Sequence, residues 1–232
     1  MFNFNMNSTK RNQIQKGILL IESLTVKGFQ AEALKKLQAI KKKALKQEEY
    51  TWILRLIELE ETLIFKEGIL GYRDKLGELH EQRSQAINII QNLNQFHIIR
   101  EEVRELQFKE HLFIDKNALK NISANPLIVS DKKCMSIKAK EHWFYIQVLI
   151  SYLKWDFISG LKISAQYVDF INENNHLFDY NKTLPALSNY IFHAALKSDK
   201  YHFERGKKIL INLLDRKESP ICLLYTSPSP RD

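Results

Sequence analysis

A seven-residue pattern that occurs twice places the strongest constraint on the fold of this chain of 232 residues. The pattern Phe-x-x-Gly-x-Lys-Ile covers residues 157–163 and returns at 203–209. A related stretch, with alanine in place of the glycine, lies at 28–37. Glycine inside a helix costs about 1 kcal/mol relative to alanine, so its return at a matching position indicates a packing requirement. We therefore predict repeated pairs of antiparallel helices that cross at small residues.

The small residues of the pattern have a specific role in this prediction. Ala33, Gly160 and Gly206 would let two helix backbones approach, and a phenylalanine just before each would cover the crossing. The alternative is a chance similarity in a chain rich in apolar and lysine residues. The predicted packing residues are Gly28, Phe29, Ala33, Leu37, Phe157, Gly160, Ile163, Phe203, Gly206 and Ile209.

The chain contains few residues that break helices. Seven glycines and five prolines favour long helices over many short strands. We predict an all-α fold in which nine to ten helices stack in antiparallel pairs as an α-solenoid. The predicted organisation is a disordered segment at 1–9, a first helical half at 10–122, a loop or hinge at 123–131, a second helical half at 132–218 and a disordered, non-native tail at 219–232.

Hydrophobic periodicity places the individual helices. The stretch 48–66 is apolar on most of its circumference, so more than one neighbour must cover it. The other predicted helices lie at 12–27, 30–47, 72–94, 95–110, 132–154, 157–172, from near Pro185 to 197, and at 201–216.

The spacing of Gly28, Ala33 and Leu37 resembles the tetratricopeptide repeat. Some members of that family grip the C-terminal carboxylate of a partner with a lysine and an asparagine. The corresponding positions here are Ile18 and Glu22, so this clamp is absent. The resemblance implies an α-solenoid that binds proteins or peptides.

A wider resemblance extends over most of the chain. Residues 20–24, 56–60 and 125–127 are similar to a group of uncharacterised bacterial helical-repeat proteins, which typically have a further helical region before this part. The resemblance implies a chain that begins earlier than residue 1. Residues 222–232 resemble translated sequencing adaptor, so we expect that the natural C-terminus is missing.

The net charge of +8 raises the alternative of a nucleic-acid-binding helical repeat. The lysine-rich stretch 31–46 carries much of the positive charge, but the glutamate-rich stretch 47–67 follows it directly. Neighbouring helices of opposite charge largely cancel at long range, so nucleic acid is the less favoured partner. If a DNA-binding domain preceded residue 1, the chain would be the sensor half of a bacterial regulator.

Motifs for catalysis and metal binding are missing from the sequence. It has no His-Glu-x-x-His, no paired Cys-x-x-Cys and no glycine-rich phosphate loop, so we predict neither an enzyme nor a cofactor or metal site. Cys134 and Cys222 are too few for a disulfide framework, which favours the cytoplasm. The longest apolar stretch, 143–153, is shorter than the roughly 20 residues of a membrane span, so no membrane is expected.

The predicted helix register gives the array a concave face that could bind an unknown protein or peptide. Tyr145 and Tyr152 suit a peptide groove because each has an apolar ring and a polar tip. The alternative is that these aromatic residues are ordinary core. The predicted interaction residues are Gln15, Glu22, His142, Tyr145, Tyr152 and Ser188, and Ile18 and Leu149 fall on the same face.

Overall fold

The computed structural model describes residues 6–67, 72–109 and 115–215, and all regular structure in these ranges is helical. The prediction of an all-α chain of nine to ten helices packed in adjacent pairs is confirmed for this part of the chain. The helices are α1 Met6–Val26, α2 Gln30–Lys46, α3 Tyr50–Glu67, α4 Tyr72–Lys109, α5 Lys116–Ser123, α6 Pro126–Val129, α7 Ile137–Leu153, α8 Phe157–Glu173, α9 Tyr180–Leu196 and α10 Lys200–Asp215, with a 3-10 turn at Asp131–Lys133.

The long helix α4 takes part in both ends of the array. Helices α1, α2 and α3 pack in sequence, and α3 packs against α4, which also contacts α7. From α7 onward each helix again packs against the next, up to α10. Helix α4 contributes Leu79 and Ala86 to the core of α1–α3, and Phe96 and Ile99 to the core around α7.

Helix α4 is one continuous helix where the sequence predicted two, at 72–94 and 95–110. The predicted break between residues 94 and 95 is therefore wrong. Residues 78–109 contain neither glycine nor proline, so the backbone has no reason to stop there. Phe96 is fully buried and packs against the second half of the molecule, which stabilises the helix beyond that point.

The turn between α1 and α2 is built around Gly28. Gly28 has a φ of 83°, which glycine adopts without the steric cost of a Cβ. Its N–H donates to the carbonyl of Thr25 at 3.3 Å, and the N–H of Phe29 donates to that of Leu24 at 3.0 Å. This pair of bonds is a Schellman motif, which ends the helix by satisfying its last carbonyl groups.

The same turn recurs after α2, α7 and α9, with residues other than glycine at its centre. Glu48, Trp155 and Ser198 have φ values of 51°, 57° and 53°. In each copy the N–H of the following residue donates to a carbonyl near the end of the preceding helix, at 2.9 to 3.0 Å. One further residue then leads into the next helix. Four helix pairs are therefore joined by copies of one turn, and these turns mark the structural repeat.

The turns show that the two copies of the seven-residue pattern are not equivalent in the repeat. Gly160 follows Trp155 by five residues, whereas Gly206 follows Ser198 by eight. The residue that corresponds to Gly160 in the last pair is Phe203. The sequence pattern aligned the two copies incorrectly. The positions that are equivalent in the repeat are the centres of the turns, and these share no residue type.

The small residues of the pattern nevertheless lie at close contacts between helices. A Cβ on Gly160 would overlap the imidazole ring of His193 in α9. One on Gly206 would lie 2.6 Å from Cγ1 of Ile191, also in α9. Ala33 is completely buried in the core of α1–α3. Each of the three positions therefore has room for little or no side chain.

The large residues of the pattern differ in their surroundings. Phe29 is 51% exposed and covers no crossing, which contradicts the prediction for this residue. Leu37 is fully buried. Phe157 is half-buried, with its ring centre 6.4 Å from that of His193. The remaining predicted packing residues are half-buried against the core of α7–α10, and they are Ile163, Phe203 and Ile209.

The segment 123–131, predicted as a loop or hinge, contains α6 and the start of the 3-10 turn. Ile128 is 1% exposed. Its carbonyl accepts hydrogen bonds from Nε1 of Trp143 at 2.9 Å and from Nε2 of Gln147 at 2.6 Å. These contacts anchor the segment on α7, and its role as a hinge stays a prediction.

Glu48 links the first helices of the array to α7. Its carboxylate accepts the backbone N–H groups of Ile137 at 2.7 Å and Lys138 at 2.8 Å, at the start of α7. The ammonium of Lys138 donates to the carbonyl of Glu48 at 3.1 Å and to Oε1 of Glu49 at 3.0 Å. A carboxylate at a helix N-terminus satisfies free amide groups and complements the helix dipole.

The predicted ends of the chain fall partly outside the described residues. Helix α1 begins at Met6, inside the segment 1–9 that was predicted to be disordered, and residues 1–5 are not described. The last part of the predicted second half, 216–218, and the whole predicted tail, 219–232, also lie outside the described residues.

Candidate functional site

A cleft of about 430 Å³ opens between α4, α7 and the N-terminal end of α9. Lys138, His142 and Tyr145 reach it from α7 because residues three and four positions apart share one face of a helix. The complete lining combines charged, aromatic and apolar side chains, which are Leu93, Arg100, Lys138, Glu141, His142, Tyr145, Tyr167, Leu177, Phe178, Asp179, Asn181, Lys182 and Pro185.

A buried carboxylate lies in the cleft lining. Glu141 is 3% exposed, and it accepts the O–H of Tyr167 on Oε1 at 2.7 Å and the ammonium of Lys182 on Oε2 at 3.1 Å. Burial raises the pKa of Glu141, but Lys182, His142 and the bond from Tyr167 outweigh it and lower that pKa. Burial and the adjacent carboxylate raise the pKa of Tyr167 well above its usual value. At neutral pH the pair is therefore a carboxylate and a protonated phenol.

The guanidinium of Arg100 lies over an aromatic ring of the cleft. Its Cζ is 4.6 Å from the ring centre of Tyr145, a cation–π distance. Nη1 of Arg100 is 3.2 Å from Nδ1 of His142. Burial lowers the pKa of His142 to about 4 although Glu141 opposes the shift, so the ring is neutral at pH 7. Arg100 therefore donates its hydrogen bond to an uncharged group.

Four apolar residues, Leu93, Leu177, Phe178 and Pro185, complete the lining together with three polar or charged ones. Leu177 and Phe178, in the turn between α8 and α9, are buried, and the ring of Phe178 is 6.0 Å from that of Phe170. Leu93 of α4 is half-buried, and Pro185 of α9 is exposed. A surface of this composition can shield apolar atoms of a ligand from water while a few polar groups orient it.

The structure brings together only part of the predicted interaction surface. His142 and Tyr145 line the cleft. Tyr152 lies on the same face of α7, two turns further on, where its ring centre is 5.8 Å from that of Phe192. Leu149, which falls between them in sequence, is 4% exposed and belongs to the core.

The other predicted interaction residues lie elsewhere. Gln15 and Glu22 are on α1, which packs against α2 and α3, and Glu22 accepts a hydrogen bond from Arg55 at 2.7 Å. Ile18 is 4% exposed and is core. Ser188 is exposed on α9 outside the cleft lining. Of the six predicted residues, only His142 and Tyr145 therefore line the cleft.

Sequence reasoning missed four residues that define the cleft, namely Arg100, Glu141, Tyr167 and Lys182. Glu141 carried a detectable signal, because it is an acidic residue within a helix that is otherwise strongly apolar. The others lie on three different helices, and no local spacing relates them. Only the packing of α4, α8 and α9 around α7 brings them together.

Other sources of chemistry are limited in the part of the chain that the structure describes. No group of three histidine, cysteine or acidic side chains there is arranged to hold a metal ion. Cys134 is a free thiol, and burial, with Asp131, raises its pKa to about 12. None of the described helices has both the length and the apolar character needed to cross a membrane.

Comparison with known proteins leaves the cleft as the main guide to function. No protein-family model, curated protein or solved structure matches this chain. The resemblance to the tetratricopeptide repeat, based on the spacing of Gly28, Ala33 and Leu37, therefore stays a prediction from the sequence.

Proposed function

We propose that this chain is a helical-repeat protein that binds a peptide segment of another protein in the cleft between α4, α7 and α9. The observation that carries the proposal is the pairing of Arg100 with Tyr145 in a cleft that Leu177 and Phe178 also line. Tyrosine and arginine are enriched among residues that dominate protein interfaces.

The construction of the cleft supports this function. Its walls are helices fixed by core packing, so a ligand would not have to order them, and preorganisation lowers the cost of binding. Its volume of about 430 Å³ falls in the range of roughly 300–1,000 Å³ that is usual for ligand sites. The hydrogen-bonded pair of Glu141 and Tyr167 holds the shape of the wall.

The proposal needs no metal and no cofactor, and it assigns no catalytic role to the cleft. At neutral pH Glu141 is engaged by two donors, and the raised pKa of Tyr167 makes it a poor proton donor. The free thiol of Cys134 is in keeping with a cytoplasmic protein, the location that we propose.

Selection from a library of displayed random peptides on the full chain tests this function. Enriched peptides would be synthesised, and their dissociation constants measured by fluorescence anisotropy. Tyr145→Ala should weaken binding by about tenfold or more, since truncating a central aromatic residue typically costs more than 1 kcal/mol.

The matched control is Tyr201→Ala. Tyr201 is 74% exposed on α10, outside the cleft lining, so its truncation should change the dissociation constant less than about twofold, because surface contacts away from the site contribute little. Failure to enrich any peptide, or equal binding by Tyr145→Ala and the unchanged chain, would rule out this use of the cleft.

A second candidate function is nucleic-acid binding by α2. Its exposed lysines favour this alternative, and they are Lys35, Lys36, Lys42, Lys43 and Lys46. Binding that depends on phosphate contacts should weaken steeply between low and moderate salt. An electrophoretic shift at low salt that disappears in a variant with Lys42 and Lys43 both changed to Glu would support it, and the absence of any shift would exclude it.

A further inference from the structure

Arg100 is a cation of the cleft lining that forms no hydrogen bond to a carboxylate among the described residues. Its side chain is only 20% exposed, yet its hydrogen bond goes to the neutral ring of His142. Nε of Arg100 is buried without a hydrogen-bond partner among the described residues. The Glu101 carboxylate is 3.9 Å from that nitrogen, which is too far for a hydrogen bond.

The other charged groups of the cleft are already engaged or balanced. Lys138 is held by Glu49, and Lys182 by Glu141. The remaining carboxylate of the lining, Asp179, lies just before the first turn of α9, where the positive end of the helix dipole offsets a negative charge. Arg100 is therefore the cation of the cleft lining that has no hydrogen-bonded carboxylate among the described residues.

A largely buried charge without a hydrogen-bonded counter-charge costs free energy, which a carboxylate in direct contact can offset. A guanidinium forms charge-assisted hydrogen bonds with a carboxylate, which are stronger than bonds between neutral groups. Building on the proposed function, we infer that the bound peptide carries an aspartate or glutamate side chain that pairs with Arg100. Because apolar residues also line the cleft, we expect an apolar residue next to the acidic one in the bound peptide.

Peptide selection on charge variants tests this pairing. On the unchanged chain, enriched peptides should share an acidic residue next to an apolar one. On Arg100→Glu the acidic preference should be lost and replaced by lysine or arginine. Arg104→Glu is the matched control, since Arg104 lies one turn further along α4 and pairs with Glu101, and it should keep the acidic preference.

Two outcomes separate this inference from the proposed function. If peptides without acidic residues are enriched and still depend on Tyr145, the cleft binds peptides but the pairing is wrong. If no peptide is enriched, both fail. The source of the negative charge is checked with synthetic peptides that end in an amide. Loss of binding on amidation alone would show that a terminal carboxylate, and not a side chain, is recognised, and would overturn the inference.

A double-mutant cycle completes the test. Changing the acidic residue of an enriched peptide to its amide should weaken binding tenfold or more to the unchanged chain, and less than twofold to Arg100→Gln. An equal loss of binding to the unchanged chain and to Arg100→Gln would overturn the inference.

Discussion

Gly160 occupies one of the tightest contacts between helices. An added methyl group would overlap the ring of His193, which is 1% exposed and donates its Nδ1–H to the carbonyl of Asn189 at 2.8 Å. We expect Gly160→Ala to lower the free energy of unfolding by about 1–3 kcal/mol, because overpacking outweighs the better helix propensity of alanine.

Gly77 in α4 is the matched control for this substitution. A Cβ at Gly77 would meet nothing within 4 Å, so Gly77→Ala should raise the free energy of unfolding by about 1 kcal/mol. Urea denaturation measures both variants. Equal stabilisation by the two changes would show that Gly160 is not at a close helix crossing.

His142 should make the stability of the chain depend on pH. Burial lowers its pKa to about 4, with Lys182, Arg100 and His97 acting in the same direction and Glu141 against it. The unfolded chain therefore binds the proton more readily, and stability is lost as the pH falls below about 6.5. From pH 7 to pH 5 the loss should be about 2 kcal/mol.

The variant His142→Gln should lose much of this pH dependence while keeping an acceptor for Arg100. His80→Gln is the control, because His80 is exposed on α4. The measurement is the free energy of unfolding in urea at pH 7, 6 and 5. An unchanged slope in His142→Gln would show that another group dominates, for example His193, whose pKa burial also lowers.

At this scale the sequence indicated some roles and concealed others. Gly28 was identifiable because glycine after a helical pattern is a known end signal. The role of Gly17 was not identifiable from the sequence. A Cβ at Gly17 would lie 2.5 Å from Cδ1 of Ile40, and this close contact comes from the neighbouring helix α2. Arg100 was equally hidden, since its importance depends on Tyr145, which is distant in sequence.

Among the structural elements, the repeated turn offers the clearest test. Ser198 is exposed and has a φ of 53°, a conformation that costs about 1–2 kcal/mol for a residue with a Cβ. We expect Ser198→Gly to raise the free energy of unfolding by about 0.5–1 kcal/mol, after the greater entropy of glycine in the unfolded chain is subtracted.

The adjacent residue provides the control for this turn. Lys197 has a φ of −84°, so glycine brings no relief there, and Lys197→Gly should lower the free energy of unfolding by a few tenths to about 1 kcal/mol. Thermal and urea unfolding of both variants distinguish the two positions. A destabilised Ser198→Gly would show that the left-handed conformation of residue 198 is not a strained one.

Element types were easier to predict than element ends and connections. The alternation of apolar and charged residues fixed α2 to within one residue at its C-terminal end. The turns after α2, α7 and α9 could not be recognised as copies of one turn from the sequence, because three different residue types adopt the same backbone conformation. Helix α5 and the helical part of 123–131 were missed because, at eight and four residues, they are shorter than the window of roughly 11–18 residues in which helical periodicity is judged.

On the scale of the whole molecule, α4 should couple the two ends of the array during unfolding. Asn88 is exposed in the middle of this helix, between the residues that pack on α3 and those that pack on α7. Proline inside a helix removes a hydrogen bond and costs about 3 kcal/mol or more. We expect Asn88→Pro to divide one unfolding transition into two.

Tryptophan fluorescence can follow each end separately. Trp52 packs against the core of α1–α3, and Trp143 packs against the core around α7. In variants that keep one of these tryptophans, with the others changed to phenylalanine, the two urea transitions should coincide. They should separate after Asn88→Pro but not after Asn88→Ala, and separate transitions in the unchanged helix would contradict the coupling.

The carboxylate of Glu48 has a consequence for attempts to divide the molecule. A fragment that started near residue 115 would contain α7 through α10, but the amides of Ile137 and Lys138 would lose their acceptor. The same glutamate holds a backbone conformation that suits glycine better. A change in the turn at Glu48 would therefore destabilise the start of α7, about ninety positions downstream. The helices of the array are best studied as one unit.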